Sequence, residues 1–270
     1  MVYIICMLIA VIAAFIGSLI GLGGGIVLIP SLIFMHHFTD AFEWATPQVI
    51  VGISLVTMVF TAMSSTVSYF KKGRVDYKTG MLFLTGSIPG GIFGSWLNQY
   101  VEMESFSLYF GILTIAISML FLIKRKPGKT VKDESKGRTF MLEGENHYYN
   151  VSVFPAFIIS LVVGLISGLF GIGGGSIMVP AMIILFGIPI HIATATSMFM
   201  IFFISVISAG THVYLGHIIW EYAIFFIPGA WIGGTLGAKV NQMIKGNKLE
   251  WLLRVVLVVI GLRLIIEGMI

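Results

Sequence analysis

Three consecutive glycines, Gly23–Gly25, interrupt a long apolar run, and the interruption recurs at an offset of 150 residues as Gly173–Gly175. Each triplet opens a segment that ends in proline: Gly21 to Pro30 reads GLGGGIVLIP, and Gly171 to Pro180 reads GIGGGSIMVP. Glycine adds backbone entropy and offers no side chain for packing, so three in a row end a helix. In hydrocarbon the broken helix also bares peptide groups that must find partners inside the protein. A chain that does this twice, at matching positions, is building a site there.

The medium is set by composition. Apolar residues make up 57% of the chain and charged residues 10%, with a mean hydropathy of +1.00. Soluble domains carry about a quarter charged residues, so the chain reads as an all-α polytopic protein of the cell membrane. The first segment has no Lys or Arg before its apolar run and continues past the length of a signal core. Cys6 is the sole cysteine, which excludes a disulfide framework and argues against a cysteine-ligated metal or cluster. The net charge of +4 comes mostly from loops, so it speaks of membrane topology rather than of nucleic acid.

Eight apolar segments follow, near 2–35, 47–70, 77–98, 105–123, 152–188, 191–214, 218–240 and 249–268. The first and fifth are too long for one untilted span of about 20 residues, and these two carry the triplets. Each is expected to be a helix, a break and a second half-helix, the latter stopped in the fifth segment by Gly187 and Pro189. The duplication reaches further. Gly86, Gly90, Gly91, Gly94, Asn98 and Gln99 match Gly229, Gly233, Gly234, Gly237, Asn241 and Gln242 at a constant offset of 143. The organisation is therefore an N-terminal membrane repeat (1–123), a hydrophilic linker (124–150) read as a solvated connector, and a C-terminal membrane repeat (151–270). Internal repeats are common in secondary transporters.

Charge orients the halves. Lys71, Lys72, Arg74 and Lys78 follow segment two and belong in the cytoplasm, as does the basic linker, while the turn with Glu102 and Glu104 suits the outside. In the second half the turn near Gly216 lacks Lys and Arg, and Lys239, Lys245, Lys248 and Arg254 gather around the last turn. If the broken segments are re-entrant hairpins the halves are inverted, and of the 16 basic residues only Arg263 falls outside. Inversion is favoured; eight single crossings would make the halves parallel, an arrangement that stays open.

A half-helix beginning after each triplet presents free N–H groups and the positive end of its dipole, a natural anion site. The candidate substrate-binding residues are therefore Gly23, Gly24, Gly25, Gly173, Gly174 and Gly175, with Ser176 adding a hydroxyl that its counterpart Ile26 lacks. Ser54 and Ser197 join them, because the repeat matches them and they are expected to lie beside the breaks. Segments one, two, three, five and six hold no Lys, Arg, Asp or Glu at depth, which favours an anion or neutral solute over a cation. His212 is a candidate for a proton or gating role. Asn98–Gln99 and Asn241–Gln242 end segments three and seven, as interfacial caps or as vestibule lining. The spaced glycines, among them Gly17, Gly164 and Gly168, read as helix-packing positions. No nucleotide loop, paired-carboxylate site, nucleophile motif or metal-ligand spacing is present, so an enzyme, a metal and a cofactor are not expected.

The paired glycine-triplet-to-proline segments resemble the TauE/SafE family of membrane permeases, the sulfite exporter or toluenesulfonate uptake family, and the likeness covers essentially the whole chain. The resemblance implies transport of a sulfur-containing anion such as sulfite, a sulfonate or sulfoacetate, and carries over to Gly23–Gly25, Pro30, Gly173–Gly175 and Pro180. The expected protein is a secondary transporter working by alternating access at a midplane site between the repeats. A small-anion channel and a non-transport scaffold or assembly factor are the alternatives. The expected partners are the small anion and the lipid bilayer, without nucleic acid; a homodimer is left open, as are transport direction and coupling ion.

Overall fold

The computed structural model describes residues 2–122, 138–142, 145–246, 248, 249, 251, 252 and 255. The first long segment is two helices, α1 (Val2–Ile20) and α2 (Gly25–Phe38), parted at Gly21–Gly24. After them come α3 (Pro47–Phe70), α4 (Tyr77–Leu97) and α5 (Met103–Leu122). The fifth segment is likewise broken, into α6 (Val153–Phe170) and α7 (Gly175–Ile184). Two long helices, α8 (Ile190–Tyr214) and α9 (Trp220–Met243), complete the described core. The eighth expected segment, with Arg254, Arg263 and Glu267, lies almost wholly outside the described residues.

Among the described residues, five helices are long and apolar enough to cross a membrane: α1, α3, α6, α8 and α9. The protein is thus a multi-pass, helical membrane protein. The region read as a solvated connector is not loop throughout. Arg138–Leu142 (β1) and Glu145–Tyr149 (β2) pair as an antiparallel hairpin, with Arg138 opposite Tyr149 and Leu142 opposite Glu145. Leu142 and Tyr149 are buried, and the Tyr149 hydroxyl donates to Asp76 Oδ2 at 2.6 Å. Alternation of apolar and polar residues at period two is the usual signal for such a strand, and neither RTFML nor ENHYY shows it.

Helix packing follows the glycines. An added methyl at Gly86, Gly90 or Gly94 would strike the carbonyls of Phe157, Leu161 and Leu165. At Gly229, Gly233 or Gly237 it would strike those of Met7, Val11 and Phe15. Glycine is required there because backbone meets backbone. The contacts advance together along both chains, so α4 runs in the same direction as α6, and α9 in the same direction as α1. Contacts of Gly52 with His217, Gly234 with Thr61 and Gln242 with Ser68 likewise set α3 in line with α9. Contacts of Gly80 with Thr196 and Gly91 with Ser208 set α8 in line with α4. Gly52 of α3 lies by the turn after α8, while Phe70 stacks edge-on against Phe199 in the first half of α8. Thus α1, α3 and α9 run one way, and α4, α6 and α8 the other.

The candidate site at the two breaks

Both breaks adopt the same backbone. Gly21, Gly23 and Gly24 have φ of 83°, 84° and 102°; Gly171, Gly173 and Gly174 have 67°, 75° and 67°. Such left-handed conformations cost other L-residues about 1–2 kcal/mol each, which is the local reason for the glycines. Gly25 and Gly175 are constrained differently. A methyl on Gly25 would overlap the Gly171 carbonyl oxygen, and one on Gly175 the Gly21 carbonyl oxygen. The two breaks therefore touch each other, backbone to backbone.

Reciprocal side chains hold this contact. Ser54 Oγ donates to Gly171 O at 2.8 Å, and Ser197 Oγ donates to Gly21 O at the same distance, sharing its proton with Thr194 O, also at 2.8 Å. Asn241 Nδ2 donates to Leu19 O at 2.6 Å, and Asn98 Nδ2 donates to Leu169 O at 2.8 Å. Each half thus supplies a serine and each pairs with an asparagine that closes the orphan carbonyls ending α1 or α6, as buried peptide groups require. Both asparagines are fully buried, so they are neither interfacial caps nor vestibule lining. The single proton of each serine is committed to a carbonyl, which makes Ser54 and Ser197 clamps of the breaks rather than donors facing a ligand.

The N–H side of the breaks is left open. Neither α2 nor α7 receives a side-chain cap at its start. Val27 and Leu28 N–H bond Gly24 O, which leaves those of Gly25 and Ile26 at the tip of α2. In α7 Gly175 N–H bonds Gly173 O, while Ile177 and Met178 bond Gly174 O, leaving that of Ser176. Ser176 Oγ and Ser167 Oγ are buried without a hydrogen-bond partner, and Ser167 stands beside Gly174. Carbonyls that are clamped and N–H groups that are not give the place a net preference for negative charge.

Met58 and Ile201, equivalent at the offset of 143, face both Gly23 and Gly173 from the middles of α3 and α8. They close the centre with apolar side chains, and all the triplet glycines are buried. Sequence reading missed both, together with Ser167; the repeat offset was the signal available for the pair. His212 is buried on α8, with its Nδ1 3.1 Å from His217 Nδ1.

Comparison with known proteins places this chain in a family. A sequence model described as "Sulfite exporter TauE/SafE" matches residues 6–264. A Bacillus subtilis (strain 168) protein named "Probable membrane transporter protein YunE" is 44% identical over 269 residues, covering 98% of each chain. "Probable membrane transporter protein ORF9" of Sinorhizobium is 27% identical over 259 residues, 96% of this chain and 90% of the relative. A Xylella fastidiosa "Probable membrane transporter protein" is 25% identical over 232 residues, 86% and 82% of the two chains. No solved structure matches this chain.

Proposed function

The chain belongs to the sulfite exporter TauE/SafE family of membrane transporters, and within that membership we propose that it is a secondary transporter of a small sulfur-containing anion, of the sulfite, sulfonate or sulfoacetate type. The anion is held where the two breaks meet, by the N–H groups at the starts of α2 and α7 and by the hydroxyls of Ser176 and Ser167. Gly23–Gly25 and Gly173–Gly175 let it approach the backbone, and Ser54 and Ser197 fix the two loops that carry the donors. The observation that carries this reading is the imbalance at the breaks: the carbonyls are clamped, while N–H groups and two buried hydroxyls remain available.

Alternating access between inverted halves is the mechanism proposed. Support for inversion comes from chain direction, because the repeat equates α1 with α6, α3 with α8 and α4 with α9, and each of these pairs runs in opposite senses. Support for an alternating gate over an open channel comes from burial of every triplet glycine beneath Met58 and Ile201. Rocking one group of three parallel helices against the other would expose the breaks to one side at a time.

The test is uptake of sulfoacetate into proteoliposomes by purified protein. Wild-type protein accumulates the anion, and folded Gly174→Ala protein binds none, since the left-handed backbone that aims the donors is strained by a side chain at that φ and the methyl crowds Ser167. Unchanged sulfonate affinity in folded Gly174→Ala protein would sink the backbone site. Inversion has its own check: a tag at residue 1 is labelled from outside the cell, and cytoplasmic labelling refutes it.

A further inference from the structure

The repeat pairs Ser65 with Ser208, Tyr69 with His212 and Arg74 with His217 at the offset of 143, and Ser18 with Gly168 at the offset of 150. In the first half this set closes on itself. Ser65 Oγ lies 2.6 Å from Ser18 Oγ, Ser18 Oγ donates to Gly234 O at 2.7 Å, and the Tyr69 hydroxyl donates to Ser18 O at 2.9 Å. Arg74 brings a permanent cation near Tyr69.

In the second half the same place is left unfinished. Gly168 has no hydroxyl to match that of Ser18, and Ser208 Oγ, Ser95 Oγ and His212 Nε2 are all buried without a hydrogen bond. Ser95 and Ser208 flank the contact between Gly168 and Gly91, and the Gly168 carbonyl lies near the His212 ring. Orphan polar groups of this kind are costly unless function uses them. Here an ionisable ring stands among them, one turn of α6 from the break.

We propose that His217 and His212 form a proton entry into the second half, so that anion movement through the breaks is coupled to a proton taken up at the turn between α8 and α9. The half-buried His217 accepts the proton from solvent and passes it across the 3.1 Å Nδ1–Nδ1 contact to His212. The His212 imidazolium then offers its Nε2–H toward the Gly168 carbonyl. Its charge sits beside the proposed anion site and favours occupancy; the proton leaves with the anion when the site opens to the other side. Burial lowers the pKa of His217 from its ordinary value, so its uptake of a proton responds to acid on that side.

Among the described residues, His217 is the titratable group that faces His212. Of the elements packed on α8, α6 and α7 contain no Asp, Glu, Lys, Arg or His. Tyr69 on α3 and Tyr77 and Lys78 on α4, with Asp76 before it, lie toward the opposite end of α8, where Asp76 meets Thr196.

This inference rests on the transport reading, and its test separates the two. Sulfoacetate accumulation is measured at steady state in proteoliposomes, with the membrane potential clamped by potassium and valinomycin. The side bearing the α8–α9 turn is then made about one pH unit more acidic. The carboxyl of this probe titrates near about 4, as model carboxyls do, so its charge does not change. One coupled proton raises wild-type accumulation about tenfold per pH unit. His212→Tyr, which copies the closed arrangement of the first half, and His217→Asn lose that response. Wild-type accumulation indifferent to the gradient overturns the coupling and leaves the transporter standing, as does a tenfold response that survives both substitutions. No uptake by wild-type protein under any gradient removes the transport reading, and the coupling with it.

Discussion

At the first break Gly17 packs against the backbone of Gly23 and Gly24 and Ile26 fills the first turn of α2, whereas at the second Ser167 and Ser176 stand at the same two positions with their hydroxyls unpartnered. The N–H pairing also differs, Gly175 bonding Gly173 O where Gly25 has no such bond, but the two breaks share the left-handed glycines, a serine clamp and an asparagine on the last carbonyls. One backbone plan thus yields a tightly packed half and a polar half. The lesson is that symmetry supplies the scaffold, while departures from it mark where chemistry is concentrated. The proton entry follows the same rule, with Ser18, Ser65 and Tyr69 hydrogen-bonded in one half while Ser95 Oγ, Ser208 Oγ and His212 Nε2 are left without partners in the other.

The comparison can be broken most severely where the halves touch. Gly25→Ala and Gly175→Ala each force a methyl into the opposing carbonyl, and each is expected to cost about 3 kcal/mol or more with loss of sulfonate binding. Thermal unfolding in detergent should show equal losses, because the contact is reciprocal; a tolerated alanine at either site would mean that the breaks do not meet. Gly24→Ala and Gly174→Ala should differ. Both lose about 1–2 kcal/mol to the left-handed backbone. At Gly24 the methyl also meets the Ala13 carbonyl oxygen at 2.8 Å, while at Gly174 it meets the Val163 Cγ1 at 3.0 Å. A side chain can rotate and a carbonyl cannot, so Gly24→Ala should unfold at the lower temperature. Equal midpoints would mean that the first break is no tighter than the second.

Smaller effects sharpen the account of the clamps. Ser54→Ala and Ser197→Ala each orphan one buried carbonyl, at about 1–3 kcal/mol, and Ser54→Ala should cost the more, because the Ser197 proton is shared with Thr194 O. A double substitution that costs no more than either single one would show that both clamps serve one contact.

Much of this was legible in the sequence. The triplets and their offset gave the two breaks, and the spaced glycines from Gly86 to Gly94 and from Gly229 to Gly237 gave the packing of α4 and α9. Other features depended on three-dimensional reciprocity. Nothing local in Ser54 says that its hydroxyl will end on Gly171, 117 residues away. Asn98 looked interfacial because it follows a span of ordinary length, yet its partner Leu169 lies at a helix end in the interior. Ser167 was invisible because its counterpart is Gly17, so the repeat offered no matching hydroxyl. The hairpin at β1 and β2 was not legible because neither RTFML nor ENHYY alternates apolar and polar residues.

The central claim is that the second break, through Ser167 and Ser176, makes the closer contact with the anion. The most direct measurement is a calorimetric titration of sulfoacetate into wild-type protein and into Ser167→Ala/Ser176→Ala, with unfolding temperatures taken alongside. Loss of two hydrogen bonds to a charged group at about 1.5–3 kcal/mol each predicts affinity at least about a hundredfold weaker. The unfolding temperature should hold or rise, because the hydroxyls removed were buried and unpaired. Unchanged affinity in the double variant would contradict the account.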